Sequence, residues 1–265
     1  MTTPKPDHAP RRLRRAEAAL SRRTERVTVI LERCSKEHNL LAVLRTAEAF
    51  GIQDVWLVGQ GSATPKPHRL NRGAEFWLTV RALPDTESCL AALRDEGRTL
   101  WVADTGPDAE ALDTPAAIGA VPDRLALALG READGASEAM LAAADRRIYL
   151  PLHGFTESLN VSVAAALLLQ RILDACPEAR GDLSPERREA LRREWYRRLA
   201  GSKRPDRFDA WLEAPPEPLE DLRQPPELRR PRVRKRAARS LGMKNLGPSP
   251  EHGGDDEDAM RQAGR

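Results

Sequence analysis

At 265 residues, 40% hydrophobic and 31% charged, the chain suits one sizeable globular domain with extensions. No apolar run approaches the roughly 20 residues that a membrane span needs, and the basic N-terminus has no apolar stretch behind it, which argues against a secretory signal and for the cytoplasm. The net charge of +3 hides an uneven distribution, with arginines gathered at both ends, and Cys34, Cys89 and Cys176 are spaced too widely for a metal site and read as reduced thiols.

In chain order, residues 1–26 read as a basic arm that turns helical near Ala16–Leu20, carrying Arg11, Arg12, Arg22 and Arg23. Val27–Leu31 is a β-branched run typical of a buried strand. After a polar loop, residues 39–51 recur at helical spacing, with Asn39 placed to cap the helix and Gly51 at its C-terminal stop. Asp54–Gly59 forms the next strand, residues 61–73 a Pro- and Gly-rich loop, and Phe76–Val80 a third strand. A helix over Glu87–Asp95 precedes the strand at 99–104. Residues 106–123 read as a loop with one helical turn, and Leu125–Gly130 is a strand leading into a short helical stretch. Arg147–Leu152 is the last strand, followed by a helix from Ser158 whose apolar content all round marks it as buried.

Strands alternating with helices, several as continuous apolar runs, predict an α/β fold: a mostly parallel sheet with helices on both faces. Residues 27–176 form this domain. A charged amphipathic helix ends the span 177–200, with Ser184 as cap and Pro185 in its first position. Residues 201–265 read as a largely extended or disordered basic, Pro-rich tail. That tail holds Arg229, Arg230, Arg234, Lys235 and Arg236 with no acid among them. Clustered cations of this kind suit a polyphosphate partner, since each neutralised phosphate releases counterions; a solvated tail has the same composition.

The informative residues sit where loops follow strands, the place where open α/β sheets bind ligands. Three segments stand out: HNLLAVLRTAEAFG, GREADG and PLHGFTESLNVSVAAA. Each alone has a structural explanation as a cap or turn. A dinucleotide fingerprint is excluded for the second, because Glu132 replaces a glycine and sets a carboxylate against a pyrophosphate.

Together the segments resemble the three signature motifs of the SpoU (TrmH-type) branch of the SPOUT methyltransferases. The first matches through Asn39, Arg45, Thr46 and Gly51, the second through Gly130, Glu132 and Gly135, and the third through Pro151, Gly154, Ser158, Leu159, Asn160, Val161, Ser162 and Ala164. Arg131 departs from the pattern, where many members carry Asn; a phosphate contact is the alternative use of its side chain.

The resemblance implies a deep C-terminal trefoil knot, a rare exception to unknotted topology, and helical N- and C-terminal extensions. It implies S-adenosyl-L-methionine as cofactor, no metal, and a homodimer through the knotted region. Its substrate would be RNA rather than DNA: 2′-O-ribose methylation of tRNA, guanosine 18 foremost, with ribosomal RNA or a non-catalytic RNA-binding knot protein as alternatives. By the same resemblance Arg45, Asn39, Glu132, Ser158 and Asn160 are catalytic, and Asp104, Leu129, Gly130, Gly135, Leu150 and Leu159 surround the cofactor. Arg11, Arg12, Arg22, Arg23, Arg131 and the tail cations would meet RNA. Arg45 acts either as a base or as a fixed cation beside the developing alkoxide; guanidinium stays protonated up to a pKa above about 12, which weighs against the base.

Overall fold

The computed structural model describes residues 9–59 and 73–223. Most of the expected 61–73 loop and the basic stretch at 229–236 lie outside the described residues. Two compact units divide the rest, one of residues 21–185 and one of residues 9–20 with 186–223.

The larger unit is a seven-stranded sheet in which every pairing is parallel. Its strands are β1 (Thr24–Glu32), β2 (Ile52–Val58), β3 (Thr79–Leu83), β4 (Thr99–Ala103), β5 (Glu110–Ala111), β6 (Leu125–Leu129) and β7 (Arg146–Tyr149), in the spatial order β3-β2-β1-β6-β4-β7-β5. Period-two alternation sends side chains to opposite faces. Val27, Val29 and Leu31 of β1 pack with α2 (Glu37–Ala49) and α5 (Val161–Ala175), while Ile30 packs on the other face with α3 (Thr86–Asp95) and α4 (Glu138–Ala142). Helices therefore cover both faces, as the apolar strand runs require.

Several local expectations change. β1 begins at Thr24, three residues before the β-branched run, and a 3₁₀ turn (Glu75–Trp77) takes the first half of the expected third strand. The 106–123 stretch contains the two-residue β5 and a 3₁₀ turn at Pro115–Ile118. The helix cap of α2 is Lys36 without a side-chain bond, so Asn39 lies inside the first turn with its amide free for other work. Gly51 does end that helix, at φ +83°, where a Cβ would stand 2.6 Å from the Arg22 carbonyl oxygen. α5 is not buried all round: Val163 and Leu167 are 46% and 45% exposed, one turn apart, on the face opposite Leu168, Leu169 and Ile172.

The smaller unit joins α1 (Arg11–Leu20), α6 (Pro185–Ala200) and α7 (Ala210–Glu213). Glu17 of α1 is 7% exposed and accepts two hydrogen bonds from Arg192 (2.8 and 2.9 Å) and one from the Tyr196 hydroxyl (2.8 Å). The paired, bidentate geometry is what makes a buried carboxylate tolerable. Residues 201–223 are mostly turns and irregular chain, in which Phe208 and Trp211 are buried and the Leu219 N–H bonds the Arg14 carbonyl at 3.1 Å. Burying each of these aromatic side chains contributes about 2 kcal/mol toward anchoring the segment.

Candidate active site

Parallel strands put all their C-terminal ends on one edge. Leu57, Leu31, Leu129, Ala103 and Ile148 form one transverse row across β2, β1, β6, β4 and β7. Just past this row lie Arg33 and Cys34, the loop Gly130–Gly135, Asp104 and Leu150. The expected cofactor residues Asp104, Gly130 and Leu150 thus follow neighbouring strands, whereas Leu129 is inside the row and 2% exposed.

The GREADG loop is a tight closed turn. Arg131 and Gly135 exchange backbone hydrogen bonds at 3.0 and 2.9 Å, and Gly135 takes φ +69°. A Cβ on Gly130 would fall 2.1 Å from the Gly135 carbonyl carbon and the Ala136 nitrogen. The glycine is therefore required by the loop's own backbone, whatever ligand approaches.

The turn presents Glu132 to the first turn of α2. The Asn39 amide donates a short hydrogen bond to Glu132 Oε1, and Asn39 Oδ1 accepts from Asn160 Nδ2 at 3.1 Å. Asn160 caps α5 at the same time, its Oδ1 accepting from the Ser162 N–H (2.9 Å) and hydroxyl (2.6 Å). Three segments separated by 93 and 121 residues are thereby joined in one chain of hydrogen bonds, with Asn39 2% exposed at its centre. Burial pushes the Glu132 carboxyl up, but the Asn39 amide, its own backbone N–H and nearby Lys36 outweigh that and hold it below the usual range. Glu132 Oε2 is buried with no hydrogen-bond partner among the described residues. Such an orphan acceptor is costly unless a donor arrives.

Cys34 approaches Glu132 Oε1 at 3.8 Å; burial and that carboxylate push its thiol up to about 11, so it is a neutral packing group rather than a nucleophile.

Arg45 is separate from this chain. It is exposed, six residues after Asn39 on α2, about 9 Å further along the helix axis. Among the described residues no hydrogen bond ties it to Glu132 or Asn160 within one subunit. Ser158 is exposed without a described side-chain bond, and Leu159 is half-buried.

Sequence reasoning missed Glu32. This carboxylate ends β1 fully buried, accepting from the Ser137 N–H (2.7 Å), the Ser137 hydroxyl (2.6 Å) and the Thr86 hydroxyl. It fixes the end of the Glu132 loop to β1 and α3. The signal available was an acid closing a buried apolar run, a place where a charge needs partners.

The arginines divide. Arg23 is 1% exposed, donating to the Ile52 carbonyl (2.8 Å) and paired with Glu48 (2.9 Å), so the expectation that it meets RNA fails: its charge is spent inside the unit. Arg12 lies 5.5 Å from the Phe208 ring and reaches the Leu199 carbonyl at 3.5 Å. Arg131 is clamped by Asp134 at 2.5 and 2.6 Å. Arg11 is partly exposed and Arg22 exposed.

Among the described residues no group of His, Cys, Asp and Glu has metal-site geometry, and no helix is long and apolar enough to cross a membrane. Against known proteins, the profile of the SpoU rRNA Methylase family matches residues 26–170. The tRNA (guanosine(18)-2′-O)-methyltransferase of Thermus thermophilus is 35% identical over 191 residues, 71% of this chain and 96% of that protein. The crystal structure of the Aquifex aeolicus TrmH/SpoU tRNA modifying enzyme superposes with a TM-score of 0.61 at 23% identity, covering 69% of this chain and 94% of that one. The SpoU methyltransferase AviRb of Streptomyces viridochromogenes, solved in complex with AdoMet, gives 0.51 at 21% identity, over 59% and 62% of the two chains. The superposition and the family profile match the α/β fold described above to the SpoU fold, which implies the trefoil knot expected from the motifs. With its profile matched over more than half its length, its three motifs joined in one hydrogen-bonded chain, and a relative above 30% identity spanned almost completely, this chain belongs to the SpoU methylase family.

Proposed function

We propose that the chain transfers a methyl group from S-adenosyl-L-methionine to a ribose 2′-hydroxyl of tRNA, at guanosine 18, in the cytoplasm and as a homodimer. The observation that carries this reading is the hydrogen-bonded chain Glu132–Asn39–Asn160, which brings the three family motifs to one sheet edge. The relative spanned over 96% of its length bears the guanosine-18 activity in its name, which supports tRNA over ribosomal RNA.

The residues at the edge fit the cofactor. Half-buried Leu150 and Leu159 offer apolar cover, the Asp104 carboxylate suits a cationic nucleoside, and Gly154 leaves open space where a Cβ would meet nothing within 4 Å. When bound, S-adenosyl-L-methionine supplies an electrophilic methyl on a sulfonium. This chain's own task is positioning and the management of one proton. Glu132, immobilised by Asn39, offers Oε2 to a donor on the incoming nucleoside. Arg45, permanently charged, stabilises the 2′-oxygen as its proton leaves to solvent or an RNA phosphate. Because Arg45 stands apart from Glu132 within one subunit, the dimer is the assembly that unites them. The exposed Val163 and Leu167 of α5 supply apolar surface for it.

Labelled methyl transfer by purified protein tests this. Wild-type protein is expected to label tRNA and not ribosomal RNA, and Arg45→Ala to lose transfer while keeping its affinity for S-adenosylmethionine. Labelling of ribosomal RNA alone, or Arg45→Ala at wild-type rate, contradicts the reading.

A further inference from the structure

Arg33 is the sole non-glycine residue with positive φ among the described residues, at +52°. Left-handed backbone at a long side chain is uncommon and persists only where its surroundings impose it. Here they do. The Arg33 N–H bonds the Val58 carbonyl at 2.8 Å, the preceding Glu32 is fixed by three donors, and the Arg33 stem covers Gly59, whose missing Cβ would lie 3.2 Å from Arg33 Cγ. The strained turn aims the guanidinium along the strand-end edge toward the GREADG loop, where Arg33 approaches Asp134 Oδ2 at 3.9 Å.

That distance is too long for a hydrogen bond. The Asp134 carboxylate is already held bidentately by Arg131, so two guanidiniums share one carboxylate. Arg33 Nε is buried without a partner among the described residues, while the Arg33 and Arg131 side chains as wholes are 38% and 39% exposed. Two guanidinium forks already converge on one anion, the Asp134 carboxylate, and paired arginine forks match a phosphate's oxygens equally well. The place borders the site directly: Glu132 follows Arg131, and Cys34, next to Arg33, touches Glu132.

We propose that Arg33 and Arg131, bridged by Asp134, form the seat for an RNA backbone phosphate next to the ribose held at Glu132, with Asp134 occupying that seat until RNA displaces it. The assignment rests on the RNA methyltransferase reading above, and an RNA phosphodiester is the anion favoured because a ribose positioned at Glu132 carries its flanking phosphates within an arginine's reach. Arg131 thereby becomes a substrate contact that this chain pairs with Arg33.

The test compares tRNA affinity across a salt series for Arg33→Gly, Arg131→Ala and Asp134→Asn, with S-adenosylmethionine affinity measured alongside by calorimetry. Glycine is chosen at 33 because it keeps the left-handed backbone without strain. Each arginine variant is expected to bind tRNA about tenfold more weakly and to flatten the slope of log K against log salt by about 0.7 to 0.9. Asp134→Asn, which removes the competing carboxylate, is expected to tighten tRNA binding, and all three to keep wild-type cofactor affinity. If the trio were only a brace for the loop, all three variants would weaken both ligands together; that result overturns the proposal, as does an unchanged slope in both arginine variants. These slopes are read at equilibrium without turnover. A wild type that methylates tRNA while the variants keep its slope therefore overturns the phosphate seat alone.

Discussion

Asn39→Asp changes one atom at the centre of the site and sets two effects against each other. Asn39 donates to Glu132 and accepts from Asn160 at 3.1 Å. The substituted carboxyl keeps the acceptor toward Asn160 but turns an oxygen on Glu132 where an N–H stood. Losing a hydrogen bond to a charged group costs about 1.5–3 kcal/mol. Two carboxylates about 4 Å apart repel by about 4 kcal/mol at an effective dielectric of about 20. The pair therefore retains one proton, the repulsion and the lost amide donor together raising its apparent pKa above the ordinary carboxylate range. Once shared, that proton restores a donor between the two side chains. In single-turnover methyl transfer with saturating donor, the ratio of variant to wild-type rate is expected to be down roughly 30- to 150-fold at pH 8.5. It should recover as pH falls and the pair takes up its shared proton. Asn39→Ala, which leaves Glu132 Oε1 without its donor and offers no proton, is expected to lose rate at every pH without recovery. A flat ratio for Asn39→Asp, or near-normal turnover for Asn39→Ala in a folded protein, refutes the reasoning that this hydrogen bond organises the site.

Other expectations follow from the same geometry. Glu32→Ala strands the Ser137 N–H and the Ser137 and Thr86 hydroxyls, and should cost about 3 kcal/mol in urea unfolding while weakening cofactor affinity through the loosened Gly130–Gly135 loop; unchanged cofactor affinity would separate Glu32 from the site. Tyr196 is pushed above its ordinary pKa of 10.0 first by burial and then by Glu17. A raised pKa gives stability that is present below the unfolded value and lost as pH rises beyond it. Wild-type stability should thus fall above about pH 10, by up to about 1.4 kcal/mol per pH unit more steeply than that of Tyr196→Phe; parallel curves would contradict the Glu17–Tyr196 contact. Leu167→Asp alters an exposed position and should change monomer stability by no more than about 0.5 kcal/mol while converting the proposed dimer to monomers in sedimentation; a wild type that sediments as a monomer, or a dimer that survives the substitution, contradicts an α5 interface.

The sheet was legible because continuous apolar runs such as Leu125–Leu129 have one physical use, burial on both faces. Motif spacing also indicated which segments meet, although it could not say how. Asn39 has the chemistry of a helix cap, and only the fold reveals that the cap lies three residues earlier, leaving the amide to face Glu132. Arg23 looked like part of a basic arm because charge clusters in sequence do not disclose which member turns inward; burial against Ile52 and Glu48 is a tertiary fact. The apolar composition of α5 read as full burial, yet Val163 and Leu167 stay exposed, because composition alone does not say which face of an apolar helix meets the core. Composition describes only averages, so the Pro-rich stretch 201–223 did not disclose that Phe208 and Trp211 would be buried. Arg45 carried a catalytic expectation from its motif, and among the described residues it stands exposed with no hydrogen bond to the other motif residues, a placement that motif spacing does not disclose.

Nuclease fragmentation and mass spectrometry of unmodified tRNA after incubation with the wild-type protein and isotopically labelled S-adenosylmethionine test the central claim most directly, because fragment and nucleoside masses give base, position and site of methylation together. The expected product is labelled 2′-O-methylguanosine confined to position 18 in the D-loop fragment. A label on a base, at another ribose, or nowhere in tRNA would contradict the account.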